Sequence, residues 1–265
     1  MASRRIRLLL TNDDGIYSEG LLSLARELKT DYDLVVIAPN EQKSGASHSI
    51  TIHSSLMVEK LCISGLEGIP CFSVTGTPAD CVKLGLSTLC GKVDLVVSGI
   101  NHGNNLGADT FYSGTVGAAF EGCLMGVPSL ALSKRVAGNY ESYEPSIKWS
   151  KHALRFMCKE IENGARTCDL LNVNFPDLPD SEIKGARFTH LCSNVFEIES
   201  YYKISDCEYG IPKWGHPNSN FEDCDVNWLL EGYVTMTPLQ IERCNCKELK
   251  RLQNMFDKEL INGDG

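Results

Sequence analysis

A chain of 265 residues, 43% hydrophobic and 22% charged, carries enough apolar surface for one large domain or a domain with an elaborate insertion. No apolar run nears the ~20 residues that cross a bilayer, so the composition is that of a soluble globular protein. A formal charge of −9 opposes polyanions at long range; it argues against extended nucleic acid or an anionic membrane as partner, and a small phosphate ester would need positive potential supplied locally.

The run RIRLLLT from Arg5 to Thr11 reads as a strand, and Ser18 as the cap of a helix whose Leu21, Leu24, Ala25 and Leu28 share one face. DLVVIAP (Asp33 to Pro39) and CFSVT (Cys71 to Thr75) read as buried strands. In TPADCVKLGLSTL, Thr77 caps a helix, Pro78 takes its first position and Asp80 completes a variant of the capping box. VDLVVSG (Val93 to Gly99) is the next strand, followed by a Gly/Asn-rich loop and a helix from about Ser113 to Met125. SLALS (Ser129 to Ser133) and LLNVNF (Leu170 to Phe175) are strands separated by a helix around Pro145 to Glu162, with Ile147, Leu154, Met157 and Ile161 on one face. Apolar strands joined by amphipathic helices imply right-handed crossovers, hence an α/β fold with a doubly wound, mainly parallel sheet.

Residues 1–176 are thus expected to form the core. From 177 to 240 the pattern loosens into a smaller subdomain or extended hairpin region, rich in aromatics, before GYVTMTPL (Gly232 to Leu239) restores a closing strand. The tail, 241–265, carries Leu249, Leu252, Met255, Phe256 and Leu260 at helical spacing.

In an open parallel sheet, ligands bind beyond the carboxyl ends of the strands. The first strand is followed by Asn12-Asp13-Asp14-Gly15, the second by Asn40-Glu41-Gln42-Lys43-Ser44-Gly45, and the Val93 strand by Ile100-Asn101-His102-Gly103-Asn104-Asn105. N-D-D-G is also ordinary turn chemistry. Adjacent carboxylates at the end of a buried strand nevertheless repel one another unless a cation neutralises them. Oxygen donors of this kind suit Mg²⁺, Mn²⁺ or Ca²⁺, with Ser44 and Asn101 as neutral further ligands. Ser113-Gly114-Thr115 opens a helix whose free N–H groups could cradle an anion; equally, Ser113 could be a simple cap and the glycines a packing device. His48 and His102 lie in the same loops, either as proton shuttles or as rim residues.

Other chemistries lack their signatures. No G-x-S-x-G or first-strand G-x-G-x-x-G is present, and Cys81 falls inside a helix, where packing is the expected role. The twelve cysteines contain no CxxC pair, and Cys244-x-Cys246 has no second ligand pair at finger or ribbon spacing. They read as reduced thiols. MASRRIRLLLTNDDG reaches Asp13 too soon for a secretory signal, so the expected location is cytoplasmic.

Five ordered blocks carry a family resemblance: TNDDG (Thr11 to Gly15), AP with SGASHSIT (Ala38 to Thr51), TGTPADCV (Thr75 to Val82), SGIN-x-G-x-N (Ser98 to Asn105) and YSGTV-x-AA-x-EG (Tyr112 to Gly122). The chain resembles the survival protein E (SurE) family of 5′/3′-nucleotidases. The resemblance implies a Rossmann-like core and a metal-dependent phosphatase that hydrolyses nucleoside monophosphates. It further implies one divalent cation per subunit, Mg²⁺ or Mn²⁺, held by Asp13, Asp14, Ser44 and Asn101, and phosphate contacts from Ser113, Gly114, Thr115 and Asn105. Asp13 or Asp14 would then accept a proton from the attacking water, and the subunit would form a homodimer or homotetramer. Residues 177–240 would shape the substrate entrance and subunit contacts. The departures concern the region from Leu191 to Asp225: where many relatives carry a D-P-R-G-like stretch, this chain has CSNVFEIESYYKISDCEYGIPKW (Cys192 to Trp214), which bears on base preference and assembly. The rival readings are a broad acid phosphatase or short-chain polyphosphatase, and a non-catalytic nucleotide-binding protein.

Overall fold

A computed structural model describes residues 4–138, 140–164, 170–192, 197–198, 201–210, 214–215, 223–242 and 244–263. The strands are β1 (Arg7–Thr11), β2 (Asp33–Pro39), β3 (Val58–Leu61), β4 (Cys71–Val74), β5 (Leu95–His102), β6 (Ser129–Lys134), β7 (Leu170–Phe175) and β8 (Ala186–Phe188), then the short β9 (Glu197–Ile198), β10 (Tyr202–Ser205), β11 (Glu208–Gly210) and β12 (Trp214–Gly215), and finally β13 (Val234–Leu239). The helices are α1 (Glu19–Leu28), α2 (Pro78–Leu84), α3 (Gly114–Leu124), α4 (Glu144–Glu162), α5 (Asp225–Leu230) and α6 (Cys246–Gly263).

Nine of these strands make one sheet in the order β3-β4-β2-β1-β5-β6-β7-β13-β8. The run from β4 to β7 is parallel throughout, β3 joins antiparallel to β4, and β13 joins antiparallel to β7 with β8 parallel beyond it. Alternation along the pleat sends neighbouring side chains to opposite faces. Leu8 and Leu10 therefore enter the layer that α1 and α4 cover, with Leu21, Leu24, Leu154 and Met157, whereas Leu9 enters the layer beneath α2 and α3, with Cys81, Val82 and Ala118. Each such leucine contributes about 1.5–3 kcal/mol by leaving water. Leu9→Ala would remove that and leave a cavity, a loss of about 2–5 kcal/mol in all.

The chain leaves β1 toward β2 on one side, while β5 lies on the other. The switch point between β1 and β5 is where an open α/β sheet leaves a crevice.

Local chemistry sets the turn there. Asn12 Nδ2 donates to Gly15 O at 3.0 Å and to Ser18 Oγ at 2.6 Å, so Ser18 starts α1 as an acceptor for Asn12, with no side-chain bond to its own helix. Thr77 and Asp80 form the expected capping box at α2: Asp80 N donates to Thr77 Oγ1 at 3.1 Å and Thr77 N donates to Asp80 Oδ2 at 2.9 Å.

Strand β5 runs three residues beyond the expected Gly99, through a register irregularity between Ser98 and Asn101. Gly99 has φ +132°, and a Cβ there would lie 2.2 Å from Leu132 O, so no side chain fits the bulge. The edge strand β3, mostly exposed, has no apolar alternation and went unread in the sequence. Of the departing segment from Leu191 to Asp225, much lies outside the described residues; the described part includes an antiparallel hairpin of β10 and β11.

Candidate active site

Asp13 closes the first turn after β1 and is only 4% exposed. Its carboxylate meets the start of α3: Thr115 Oγ1 donates to Asp13 Oδ1 at 2.5 Å, and the Thr115 backbone N–H supports the same carboxylate. Gly114 is needed for that approach, since a Cβ there would lie 2.9 Å from Asp13 Cβ and 3.0 Å from Asp13 Oδ2. Burial pushes the Asp13 carboxyl from 3.8 up to about 6; the Thr115 hydrogen bond opposes the shift and neighbouring Asp14 adds to it. Burial also raises Asp14, against the hydrogen bond that its Oδ2 accepts from His102 N at 2.9 Å.

The other two expected ligands are tied to these carboxylates through their chain neighbours. Lys43 N donates to Asp13 O at 2.7 Å, holding the loop in which Ser44 follows. His102, whose N–H serves Asp14, follows Asn101. Asn101 Nδ2 donates to Gly103 O at 2.9 Å, which leaves its carbonyl oxygen as the free acceptor, while Gln42 Nε2 donates to Ser44 Oγ at 2.9 Å. The donor set offered by Asp13, Asp14, Ser44 and Asn101 is all oxygen, with two carboxylates whose burial disfavours their joint ionisation. That chemistry fits a hard divalent cation.

On the facing side, Ser113 caps α3 by accepting Val116 N at 3.1 Å, so its hydroxyl proton remains available for donation. Thr115 gives both donors to Asp13, a pairing the sequence did not reveal because the partners are 102 residues apart. Asn105 is buried and tightly held: Asn105 Nδ2 donates to Ser133 Oγ at 2.8 Å, Asn105 N to Asn174 Oδ1 at 2.8 Å, and Asn172 and Asn174 both donate to Asn105 O. A clue to this network was present. Asn172 and Asn174 are polar positions two apart inside the buried strand LLNVNF, and buried amides demand partners. Asp225, fully buried, likewise accepts Gly107 N at 2.8 Å and Cys192 N at 2.9 Å, locking the loop that follows Asn105.

The Ser44 loop is clamped to α3 a little further along. Ser47 N donates to Tyr112 O at 2.9 Å, and a Cβ on Gly117 would lie 2.4 Å from Ser47 O. His48 Nε2 lies 2.8 Å from Glu121 Oε2, and Lys83 of α2 donates to the other oxygen at 2.9 Å. His48 is therefore engaged in a loop clamp. His102 Nδ1 lies 3.0 Å from the Tyr143 hydroxyl, whose pKa burial pushes up to about 12. Cys81 is fully buried, consistent with packing. No helix among the described residues is long and apolar enough to cross a membrane.

Comparison with known proteins places these elements in a family. A family model described as "Survival protein SurE" matches residues 8–198. The "5'-nucleotidase SurE" of Clostridium beijerinckii is 36% identical over 258 residues, covering 96% of this chain and all of that protein. That of Thermosipho africanus is 37% identical over 261 residues, 97% of this chain and all of that protein. The crystal structure of SurE protein from Aquifex aeolicus superposes with a TM-score of 0.77 at 34% identity, covering 94% of this chain and 99% of that one. With the carboxylate pair and the α3 start inside the matched span, the chain belongs to the SurE family.

Proposed function

We propose that this chain is a 5′/3′-nucleotidase: a metal-dependent phosphomonoesterase that converts nucleoside monophosphates to nucleoside and phosphate. The observation that carries this reading is the contact between Asp13 and the start of α3. A helix N-terminus attracts anions, yet here it stands against a carboxylate with a second carboxylate adjacent. A phosphate approaching that point is repelled unless a cation sits between. The names carried by the relatives, 5′-nucleotidase, supply the substrate class.

Asp13, Asp14, Ser44 and Asn101 would hold one Mg²⁺ or Mn²⁺ per subunit. When bound, the cation supplies Lewis-acid chemistry, neutralising phosphoryl oxygens and acidifying water. Ser113 and the Gly114 N–H hold the phosphoryl oxygens, with the second amide N–H of Asn105 nearby. Thr115, expected to touch phosphate, acts by fixing the orientation of Asp13. Asp13 or Asp14 takes the proton of the attacking water as its oxygen bonds to phosphorus, and the ester P–O bond breaks with the leaving oxygen taking a proton from solvent to give the nucleoside.

Residues 177–240 would serve as entrance and assembly region of a homodimer or homotetramer acting on small nucleotides in the cytoplasm, separate from membranes and nucleic acid polymers. Exposed Phe188, Tyr201, Tyr202 and Tyr209 there, and Leu249, Leu252, Met255 and Phe256 on α6, support self-association.

Phosphate release from a panel of nucleoside 5′- and 3′-monophosphates, p-nitrophenyl phosphate and short polyphosphate tests the reading. Turnover should favour the nucleotides, need Mg²⁺ or Mn²⁺, and vanish in EDTA. Full turnover after rigorous chelation, or none on any nucleotide, overturns it.

A further inference from the structure

Away from the strand ends, three ligand-type side chains meet where the chain leaves β13 for α6. One donor atom from each of Glu242, Cys244 and Cys246 lies within 4.8 Å of the other two, and all three residues are exposed. Hydrogen bonds on the described residues link the three. Cys244 N donates to Glu242 Oε1 at 2.7 Å, Cys246 N to Cys244 O at 2.9 Å, and Glu248 N to Asn245 O at 3.0 Å. Cys246 is the first residue of α6, a helix of 18 residues. The positive end of the helix dipole therefore lies beside the cluster and favours negative charge on it.

We propose that Glu242, Cys244 and Cys246 form a second metal site, distinct from the strand-end centre, that takes one thiophilic divalent ion of the Zn²⁺ class. In the sequence, Cys244-x-Cys246 stands alone, without a second pair at zinc-finger spacing; the fold supplies a third donor from Glu242. Two thiolates and a carboxylate leave one position of a tetrahedral ion for solvent. Sulfur donors select Zn²⁺ or Cd²⁺ over Mg²⁺ and Mn²⁺, the reverse of the oxygen-only centre at Asp13 and Asp14. Binding would release thiol protons and join the exit of the closing strand to the first turn of α6.

The test uses the full chain, reduced and stripped of metal. Zn²⁺ is titrated in competition with a chromophoric chelator, and Cd²⁺ is added to read the thiolate-to-metal charge-transfer band. Iodoacetamide labelling with and without Zn²⁺ is mapped by mass spectrometry. The expected result is one thiol-dependent equivalent of either ion, with Zn²⁺ protecting Cys244 and Cys246 while Cys62 and Cys207, also exposed, stay reactive. The double variant Cys244→Ser/Cys246→Ser should lose the Cd²⁺ band and that equivalent. Glu242→Gln should weaken it by about tenfold or more, the scale on which even outer-shell partners act. Mn²⁺-dependent phosphate release should be unchanged in both, which separates this site from the strand-end reading and shows that the variants fold. Labelling of Cys244 and Cys246 that is indifferent to Zn²⁺, or an unchanged Cd²⁺ band in the double variant, overturns the proposal.

Discussion

Thr115 Oγ1 donates to Asp13 Oδ1 at 2.5 Å, so the first turn of α3 and the loop after β1 share one buried charge-assisted hydrogen bond. Bonds of this kind contribute about 1.5–3 kcal/mol, roughly a tenfold to hundredfold effect. Thr115→Val keeps the shape and deletes the donor. Its Mn²⁺ affinity, measured by calorimetry, should fall by about that factor, while Thr115→Ser stays near wild type. Equal affinity in the valine variant would mean that the bond does not orient the carboxylate.

The raised Asp13 carboxyl makes the stability of the metal-free protein fall across the mildly acidic range, between pH 4 and 6. Its pKa is about 6 in the fold against 3.8 ordinarily, so below pH 4 both states hold the proton and burial carries no charge penalty. Between pH 4 and 6 the unfolded chain ionises while the folded one keeps its proton, so stability falls across that window and levels off above it, a total loss on the order of 3 kcal/mol for two pKa units. Denaturant unfolding in EDTA should therefore show Asp13→Asn and wild type converging near pH 4, with the variant more stable at pH 7.5. A gap that does not change with pH counts against the shift, and saturating Mn²⁺ should reverse the order.

Ser113 should matter for phosphate more than for metal. Its cap to Val116 N contributes about 1 kcal/mol to α3 and leaves its hydroxyl proton available for donation. Ser113→Ala should lower kcat/KM by roughly tenfold to a thousandfold and weaken vanadate binding, with little change in Mn²⁺ affinity. Loss of metal with vanadate affinity retained would reverse the assignment.

Glu121, 4% exposed, accepts from Lys83 and pairs with His48, tying the loop of Ser44 to α3. His48→Ala should lower the thermal midpoint modestly and raise the Mn²⁺ concentration for half-maximal activity, with restoration by His48→Gln if a neutral hydrogen-bond partner suffices. If the alanine variant has unchanged Mn²⁺ dependence, the pair supports the fold alone.

Much of this architecture was legible because the relevant signals are local. The parallel strands are unbroken apolar runs, Thr77-Pro78-Ala79-Asp80 states its own helix start, and Asp13, Asp14, Ser44 and Asn101 stand where strands end. The partner of each polar group was harder to see. Thr115 with Asp13, Glu121 with His48, and Asp225 with Gly107 are pairings across long sequence separations, decided by which helix turn lands on which loop. The same holds for β8, three residues without alternation that pair only because β13 is already in place. Glu242 stands only two residues from Cys244, yet its role as a third donor depends on the hydrogen bond from Cys244 N that holds its carboxylate.

The meeting of the α3 N-terminus with Asp13 has a thermodynamic consequence. In the proposed site, cation and anion subsites would share a wall and could not be filled independently: each ion would remove the repulsion that the other faces. Linkage then makes the coupling reciprocal, so phosphate must tighten Mn²⁺ by the same factor as Mn²⁺ tightens phosphate. Inhibition by released phosphate should accordingly deepen as the metal approaches saturation, and the same closeness that binds the substrate sets how readily the product leaves.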